Sequence, residues 1–401
     1  MRSVFTWQAS AGTVTLLAGA SAAAVIAVPA AAASTVRSAP TVYVAVHGSA
    51  AASDRGCGSA AYSSIQAGVS AAGAGGVVVV CGGTYDEDVT VPVPVSLVGK
   101  GRPRIDATGK INGITVTAPG VRVSGFQVTG AIGEGILVDS VNKATIEHNV
   151  VSGNDRGGLP VNPVSNSYPE CQAQGGVPGD CGEGIHLMGS SDSVVAGNVV
   201  TGNSGGILLS DETGPTAHNR ITANVVAGNL FDCGVTVVGH NPGGAPAGVP
   251  APKTAGVYAN VISGNTISGN GTKGEGAGVV LATGLPGGAV YDNTVEHNAI
   301  SGNGISGVTV HSHVAGQFLN GNVVTQNLIT VNNLDGDNDF APHVDDQTTG
   351  VLVATVAPLA IDVVGNKIAG DHFGIWTTGP ATVTHAHDNF FLGDAQPVAQ
   401  G

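Results

Sequence analysis

The chain has 401 residues, 63 of them glycine, and only 10% are charged, against about 25% in an ordinary globular protein. A formal charge of −14 and a pI near 5.1 argue against a nucleic-acid partner, whose phosphates would be repelled, and no basic patch interrupts the acidity. An anionic polysaccharide would be repelled in the same way unless a bound cation bridged the two.

Residues 1–33 have the layout of a secretory signal peptide. Arg2 precedes an uncharged apolar run from about Thr13 to Val28, and small residues from Ala30 to Ala33 lead to a cleavage point near Ala33 or Ser34. An uncleaved membrane anchor is the rival, but the run is short and alanine-rich for a span. No other segment is apolar for long enough to cross a bilayer. The mature chain is therefore expected to be a secreted monomer, outside the cell or at its surface.

From Tyr62, the stretch YSSIQAGVSAAGAGG has a serine N-cap at Ser63 or Ser64 and apolar Ile65, Val69 and Ala72 at helical spacing. This predicts a short helix over 62–73. The strand Val77 to Val80 and a turn from Cys81 to Tyr85 follow, so the helix would cover the open end of whatever the later residues stack into. Cysteine placement fits export: Cys57 and Cys81 bracket this unit, Cys171 and Cys181 bracket a Gly/Pro-rich insertion at 155–182, and two disulfides are expected. Cys233 precedes Gly-Val-Thr-Val, a strand pattern, and reads as a small buried hydrophobe rather than a reactive thiol.

Beyond the cap the chain repeats itself. Asparagine recurs at i, i+5 and i+10 in Asn219/Asn224/Asn229, Asn260/Asn265/Asn270, Asn293/Asn298/Asn303 and Asn322/Asn327/Asn332, with shorter copies at Asn149/Asn154 and Asn198/Asn203. A second column sets a glycine before each short β-branched strand, at Gly135, Gly184, Gly206, Gly234, Gly278, Gly307, Gly350 and Gly374. The shorter intervals, about 22 to 29 residues, are those of a solenoid coil. Strands this short cannot close a sandwich, and no helical period separates them, so βαβ units are excluded for most of the chain. Stacked coils about 4.8 Å apart, paired in parallel with Val, Ile and Leu inward, solve the burial problem. Asparagine is expected at the corners, where it tolerates a left-handed backbone and its side chains bond along the stack.

The lead-in SSIQAGVSAAGAGGVVVVCGGTYDEDVTVPVPVSLVGKG, followed by NxVSGN and GI repeats, resembles the right-handed parallel β-helix proteins of the pectin-lyase-like superfamily over about residues 40 to 395. The resemblance implies an all-β, single-stranded right-handed parallel β-helix with a short N-terminal capping helix. It leaves function open, because the superfamily includes polysaccharide lyases, glycoside hydrolases, uronate epimerases and proteins without known catalysis. Polygalacturonase-like members carry an Asp-Asp pair before a Gly-His-Gly. Here Gly239-His240 is followed by Asn241, and Asp345-Asp346 comes later, so no catalytic residue is carried over.

Residues two and four after each column glycine should face outward. With the turns that follow, this sets His186, Asp211, Glu212, His240, His311 and His313 along one sheet edge, over four coil steps or roughly 19 Å, with Asp232 beside them. A glycosidase would need two carboxyl groups, as Asp211 or Glu212 with Asp232 would supply. A lyase or epimerase would need a base such as His186, His240 or His311, and a cation to stabilise the resulting charge. Asp335, Asp337 and Asp339, at i, i+2 and i+4, are the candidate Ca²⁺ ligands, with Asp345 and Asp346 close behind. His385-Ala-His387-Asp388 has transition-metal spacing but reads as an exposed surface stretch. The insertion at 155–182 and the loop from Asn241 to Thr254 are placed to wall a groove. The expectation is a carbohydrate-active protein that cleaves or modifies a polysaccharide along one sheet. The alternative is a non-catalytic β-helix that serves in adhesion or as a metal accessory.

Overall fold

In a computed structural model, the described residues are 40–154, 182–240, 255–273, 276–334 and 348–401. The expected leader at 1–33, Cys171 and Cys181, the insertion up to 181, the 241–254 loop and Asp335, Asp337, Asp339, Asp345 and Asp346 all lie outside them. The chain is a right-handed parallel β-helix with one short α-helix at its N-terminal end. Three long sheets run the length of the described residues, with twelve, eleven and eleven strands, and a short fourth sheet of three strands fills a corner. Sheet 1 begins at Thr41–Val44 and Val77–Cys81, sheet 2 at Thr84–Tyr85, and sheet 3 at Val89–Val91. Strand order follows the chain in each, with every pair parallel, as stacked coils require.

The coil that starts at Val194 shows how sequence makes the shape. Strand Val194–Ala196 belongs to sheet 1, Val199–Thr201 to sheet 2 and Gly205–Ser210 to sheet 3. The alternating Val195, Val200 and Ile207 point inward and are fully buried. Between strands the chain bends at Gly197 and Gly202, both left-handed at φ 63° and 66°, and each bend is followed by a buried asparagine, Asn198 and Asn203.

Those asparagines correct the expectation about corners. In the columns it is the preceding residue that takes the left-handed conformation, whether glycine or a residue such as His148, Ala223 or Gln326. The asparagine turns inward and spends its amide on the neighbouring coils. Asn198 donates its main-chain N–H and Nδ2 to Asn224 Oδ1 at 2.9 and 3.0 Å, and Nδ2 also to Ile146 O at 2.9 Å. The column therefore satisfies buried backbone groups at corners where the sheet ladder is interrupted.

The column glycines have a steric reason. A Cβ on Gly184 would strike Val200 Cγ1 and come within 2.7 Å of Asn203 Nδ2, so no larger residue fits where sheet 2 turns into sheet 3.

Helix α1, Ile65–Ala72, closes the N-terminal end. Its buried Ile65, Gly68, Val69 and Ala72 face the first coil, and a Cβ on Gly68 would strike Val44. Ser64 Oγ accepts from Ala67 N at 3.3 Å. Glu87 accepts from the Ile65 and Gln66 amides at 2.8 and 3.0 Å, placing a carboxylate at the positive end of the helix. Cys57 and Cys81 form a disulfide beside it. Cys233 is buried against Ala277, Val280, Ala282 and Ile305, with its Sγ accepting the Ala277 amide at 3.2 Å. Among the described residues no helix is long and apolar enough to cross a membrane.

Candidate metal centre

Sheet 3 differs from the other two in being buried on both faces over its middle coils. Every residue of Glu183–Met188 and of Gly205–Ser210 is buried, whereas outward positions on sheet 2 such as Val225 and Leu328 are 42% and 43% exposed. Strand pairing fixes the outward columns: Leu137, His186, Leu208, Thr236, Val280 and Thr309 lie side by side in successive coils, and so do Asp139, Met188, Ser210, Val238, Ala282 and His311. The outer face is thus largely a packed apolar layer with a few polar groups set into it, and of the residues expected along its edge only His313 is exposed.

Those polar groups concentrate on the coils that begin at Gly135, Gly184 and Gly206. Two glutamates, Glu134 and Glu183, occupy the position just before the column glycine and are 1% and 0% exposed. Glu183 stands opposite Gly205 in the register. That glycine leaves the space the carboxylate uses, since a Cβ there would lie 3.2 Å from Glu183 Oε1 and 3.2 Å from Asp232 Oδ2. One atom each from Glu134, Glu183 and His186 lie within 4.8 Å of one another. Glu134 Oε1 is 3.2 Å from His186 Nδ1, and Glu134 Oε2 is buried without a hydrogen-bond partner.

From His186 a hydrogen-bonded chain runs to later coils. His186 Nε2 is 2.7 Å from Ser210 Oγ, Ser210 Oγ donates to Glu212 Oε2, and His240 Nδ1 is 2.6 Å from Glu212 Oε1. Asp211 Oδ1 accepts the His240 main-chain amide at 2.7 Å and so fixes the turn that carries that histidine. Burial pulls the His186 pKa down, but the Glu134 hydrogen bond and the charges of Glu134 and Glu212 outweigh it and leave the pKa raised. Burial would raise Glu212, yet the His240 hydrogen bond, the His186 and His240 charges and the Ser210 hydroxyl hold it at about 2.

Of the residues singled out in the sequence, His186, Asp211, Glu212 and His240 meet in this cluster. Asp232 borders it, with Oδ1 accepting the Cys233 amide at 2.6 Å and Oδ2 turned toward Gly205. His311 and His313 do not join it. Three strand pairings separate His311 from Ser210, roughly 14 Å at the spacing of paired strands, and the two histidines pack on each other with ring centroids 4.4 Å apart. Burial, with His313 nearby, pushes His311 down to about 3, so it is neutral at ordinary pH. His385 is exposed, with Nδ1 2.6 Å from Asp362 Oδ1 on the adjacent coil, and that pairing raises its pKa. Glu134 and Glu183 escaped the sequence reading. Their signal was the tetrapeptide Gly-Glu-Gly-Ile, present at 133–136 and again at 182–185.

The family model described as periplasmic copper-binding protein (NosD) matches residues 110–338 and 251–400. The chain belongs to the NosD family. Among curated proteins no sequence match reaches significance. Among solved structures this NosD-family chain is similar to the A-module of mannuronan C-5 epimerase AlgE4 from Azotobacter vinelandii, with 18% identity, TM-score 0.51 and coverage of 83% of this chain and 92% of that one. It is also similar to pectate lyase Pel9A, with 15% identity, TM-score 0.50 and 83% and 79% coverage. The Dettilon tailspike protein matches at 13% identity, TM-score 0.52 and 84% and 64% coverage. At these identities the likeness concerns the fold.

Proposed function

We propose that this protein is an exported metal-binding β-helix protein that holds one transition-metal ion between Glu134, Glu183 and His186. The observation that carries the reading is the convergence of two buried carboxylates and an imidazole within 4.8 Å, with Glu134 Oε2 lacking any hydrogen-bond partner in a place where such an atom is costly. One nitrogen and two oxygen donors suit Cu(II), in keeping with the family description, and do not suit Cu(I), which prefers sulfur. The imidazole also makes the centre a poorer match for Ca²⁺, which takes oxygen ligands throughout. The Ca²⁺ expected at Asp335, Asp337 and Asp339 concerns residues outside those described. Export rests on the signal-like leader and on the periplasmic setting in the family description.

A second reading, action on an acidic polysaccharide, is favoured by one feature. Glu212, kept ionised, sits beside His240 on the sheet 3 side of the fold, and this fold is shared with a mannuronan epimerase and a pectate lyase. In that case His240 would exchange the proton beside a uronate carboxylate, and a cation bound nearby would offset the repulsion between substrate and this acidic chain.

Equilibrium dialysis of the mature protein against Cu²⁺, Zn²⁺ and Ca²⁺, followed by elemental analysis, decides between them. One equivalent of Cu²⁺ or Zn²⁺ in the wild type and none in His186→Ala supports the metal centre. Absence of stoichiometric metal, with unsaturated or epimerised products from a uronate polysaccharide, supports the second reading.

A further inference from the structure

On the basis of the metal-centre reading, we propose that Ser210, committed by Glu212 and His240, is the positioning residue that makes His186 present Nδ1 to the metal. The two ring nitrogens of His186 have different neighbours: Nδ1 faces Glu134 Oε1 at 3.2 Å and Nε2 faces Ser210 Oγ at 2.7 Å. An ionised carboxylate only accepts hydrogen bonds. Glu212 therefore takes the Ser210 hydroxyl hydrogen on Oε2 and the His240 Nδ1–H on Oε1. With its own hydrogen spent, Ser210 Oγ has only lone pairs to offer His186, so Nε2 must keep its hydrogen and donate it. That leaves Nδ1 as the nitrogen whose lone pair goes to a metal held with Glu134 and Glu183. A metal held there would take the Nδ1 lone pair, and the proton that Nδ1 shares with Glu134 would leave to solvent.

The relay is anchored at its far end as well. The His240 main chain is tied to Asp211 at 2.7 Å, so the hydroxyl direction at Ser210 is set by a rigid corner on the following coil. The order Ser210, His186, Glu134 also resembles a nucleophilic triad, but that chemistry needs the serine hydrogen aimed at the histidine. Here the hydrogen goes to Glu212, and Ser210 is 0% exposed. Outer groups that fix the tautomer of a histidine ligand typically account for about 10- to 100-fold in metal affinity, which sets the size of the effect expected.

The test uses the full mature chain with ¹⁵N-labelled histidine, as wild type, Ser210→Ala, Ser210→Thr and His186→Ala, titrated with Zn²⁺ against a chromogenic chelator. Ser210→Ala is expected to weaken Zn²⁺ binding by about 10- to 100-fold, and Ser210→Thr to restore most of that. In the nitrogen spectrum of the Zn²⁺-loaded protein, His186 is expected to carry hydrogen on Nε2 alone in the wild type and to show mixed tautomers in Ser210→Ala; without metal both ring nitrogens carry hydrogen, Nδ1 toward Glu134 and Nε2 toward Ser210. Unchanged affinity, or a single Nε2–H tautomer, in Ser210→Ala would overturn the proposal. A wild type that takes up no Zn²⁺ would remove the metal centre, and the metal-free nitrogen spectrum, followed as pH is raised until the ring loses one proton, would still decide whether Ser210 holds the remaining hydrogen on Nε2. If Ser210→Ala fails to fold, Glu212→Gln, which removes the charge that commits the hydroxyl, carries the same two readouts.

Discussion

Asp371 accepts the Asn332 main-chain amide at 2.9 Å in a column that the coils from Asn154 to Asn332 fill with asparagine. Its other oxygen accepts Val331 N at 3.2 Å, and its own amide donates to Asp394 at 2.8 Å. Burial pushes this carboxyl from 3.8 up to about 6, and the Asp394 charge adds to the push against the pull of the Asn332 and Val331 amides.

A carboxyl whose pKa is raised on folding contributes stability at low pH and loses it as pH rises from about 4 through about 6. Asp371→Asn keeps the Oδ1 acceptor for Asn332 and removes the charge, giving up only the longer bond from Val331 N. It should raise the melting temperature by a few degrees at pH 8, about 2 kcal/mol, and the gain should vanish by pH 4. A lower melting temperature for the variant at pH 8 would refute this.

Removing one rung from the middle of the amide column should cost far more. Asn265 accepts from Asn224 N and Nδ2 at 2.9 and 3.0 Å, and donates to Asn298 Oδ1 and Ile221 O at 2.9 Å, all of it buried. Asn265→Ala orphans several of these groups, each worth roughly 1–3 kcal/mol, so a loss on the order of 4 kcal/mol is expected in urea unfolding. The exposed Val225→Thr on the same sheet side should stay within about 0.5 kcal/mol.

Glu212 runs in the opposite pH direction. With its folded pKa held at about 2, below the ordinary 4.5, its contribution is present above pH 4.5 and lost as pH falls through about 2. Glu212→Gln should therefore lower stability by about 1–3 kcal/mol at pH 6, with the difference from wild type closing in strong acid. His186, raised on folding, contributes fully below pH 6.5 and loses that contribution as pH climbs through its elevated value. Melting curves from pH 2 to 9 on both proteins separate the two windows.

The Cys57–Cys81 bridge closes a loop of 24 residues around α1. Replacing both by serine should remove about 3 kcal/mol and speed proteolysis near Ile65 before the coils beyond are touched. Equal cleavage rates in the two proteins would show that the helix is held by packing and the Glu87 cap alone.

The coil repeat was legible because its constraints are local. Each corner needs a left-handed residue and an inward amide, so glycine and asparagine recur at fixed spacing, and the four strand pairings from Gly184 to Gly307 match the number counted from the glycine column. Which residue takes the left-handed bend was misplaced by one position, because both Gly197 and Asn198 are plausible corner residues and only the inward amide contacts separate them. The burial of the outer face was readable in principle from Leu137, Leu208, Val280 and Leu352 in one outward column, a layer too apolar to face water. The metal candidates were harder to see. Glu134 and Glu183 are 49 residues apart and become neighbours because the strands that they lead into, Ile136–Asp139 and Glu183–Met188, pair directly. His186 drew notice as an outward histidine, but its charge state depends on Glu134, Ser210, Glu212 and His240 arriving from three other strands or turns, which no local pattern encodes.

X-ray absorption at the copper edge of the Cu²⁺-loaded protein tests the central claim most directly. The account predicts a first shell of one imidazole nitrogen with oxygen donors and no sulfur, abolished by His186→Ala. A shell containing sulfur or two or more imidazoles, or one that survives His186→Ala unchanged, would place the metal elsewhere and contradict it.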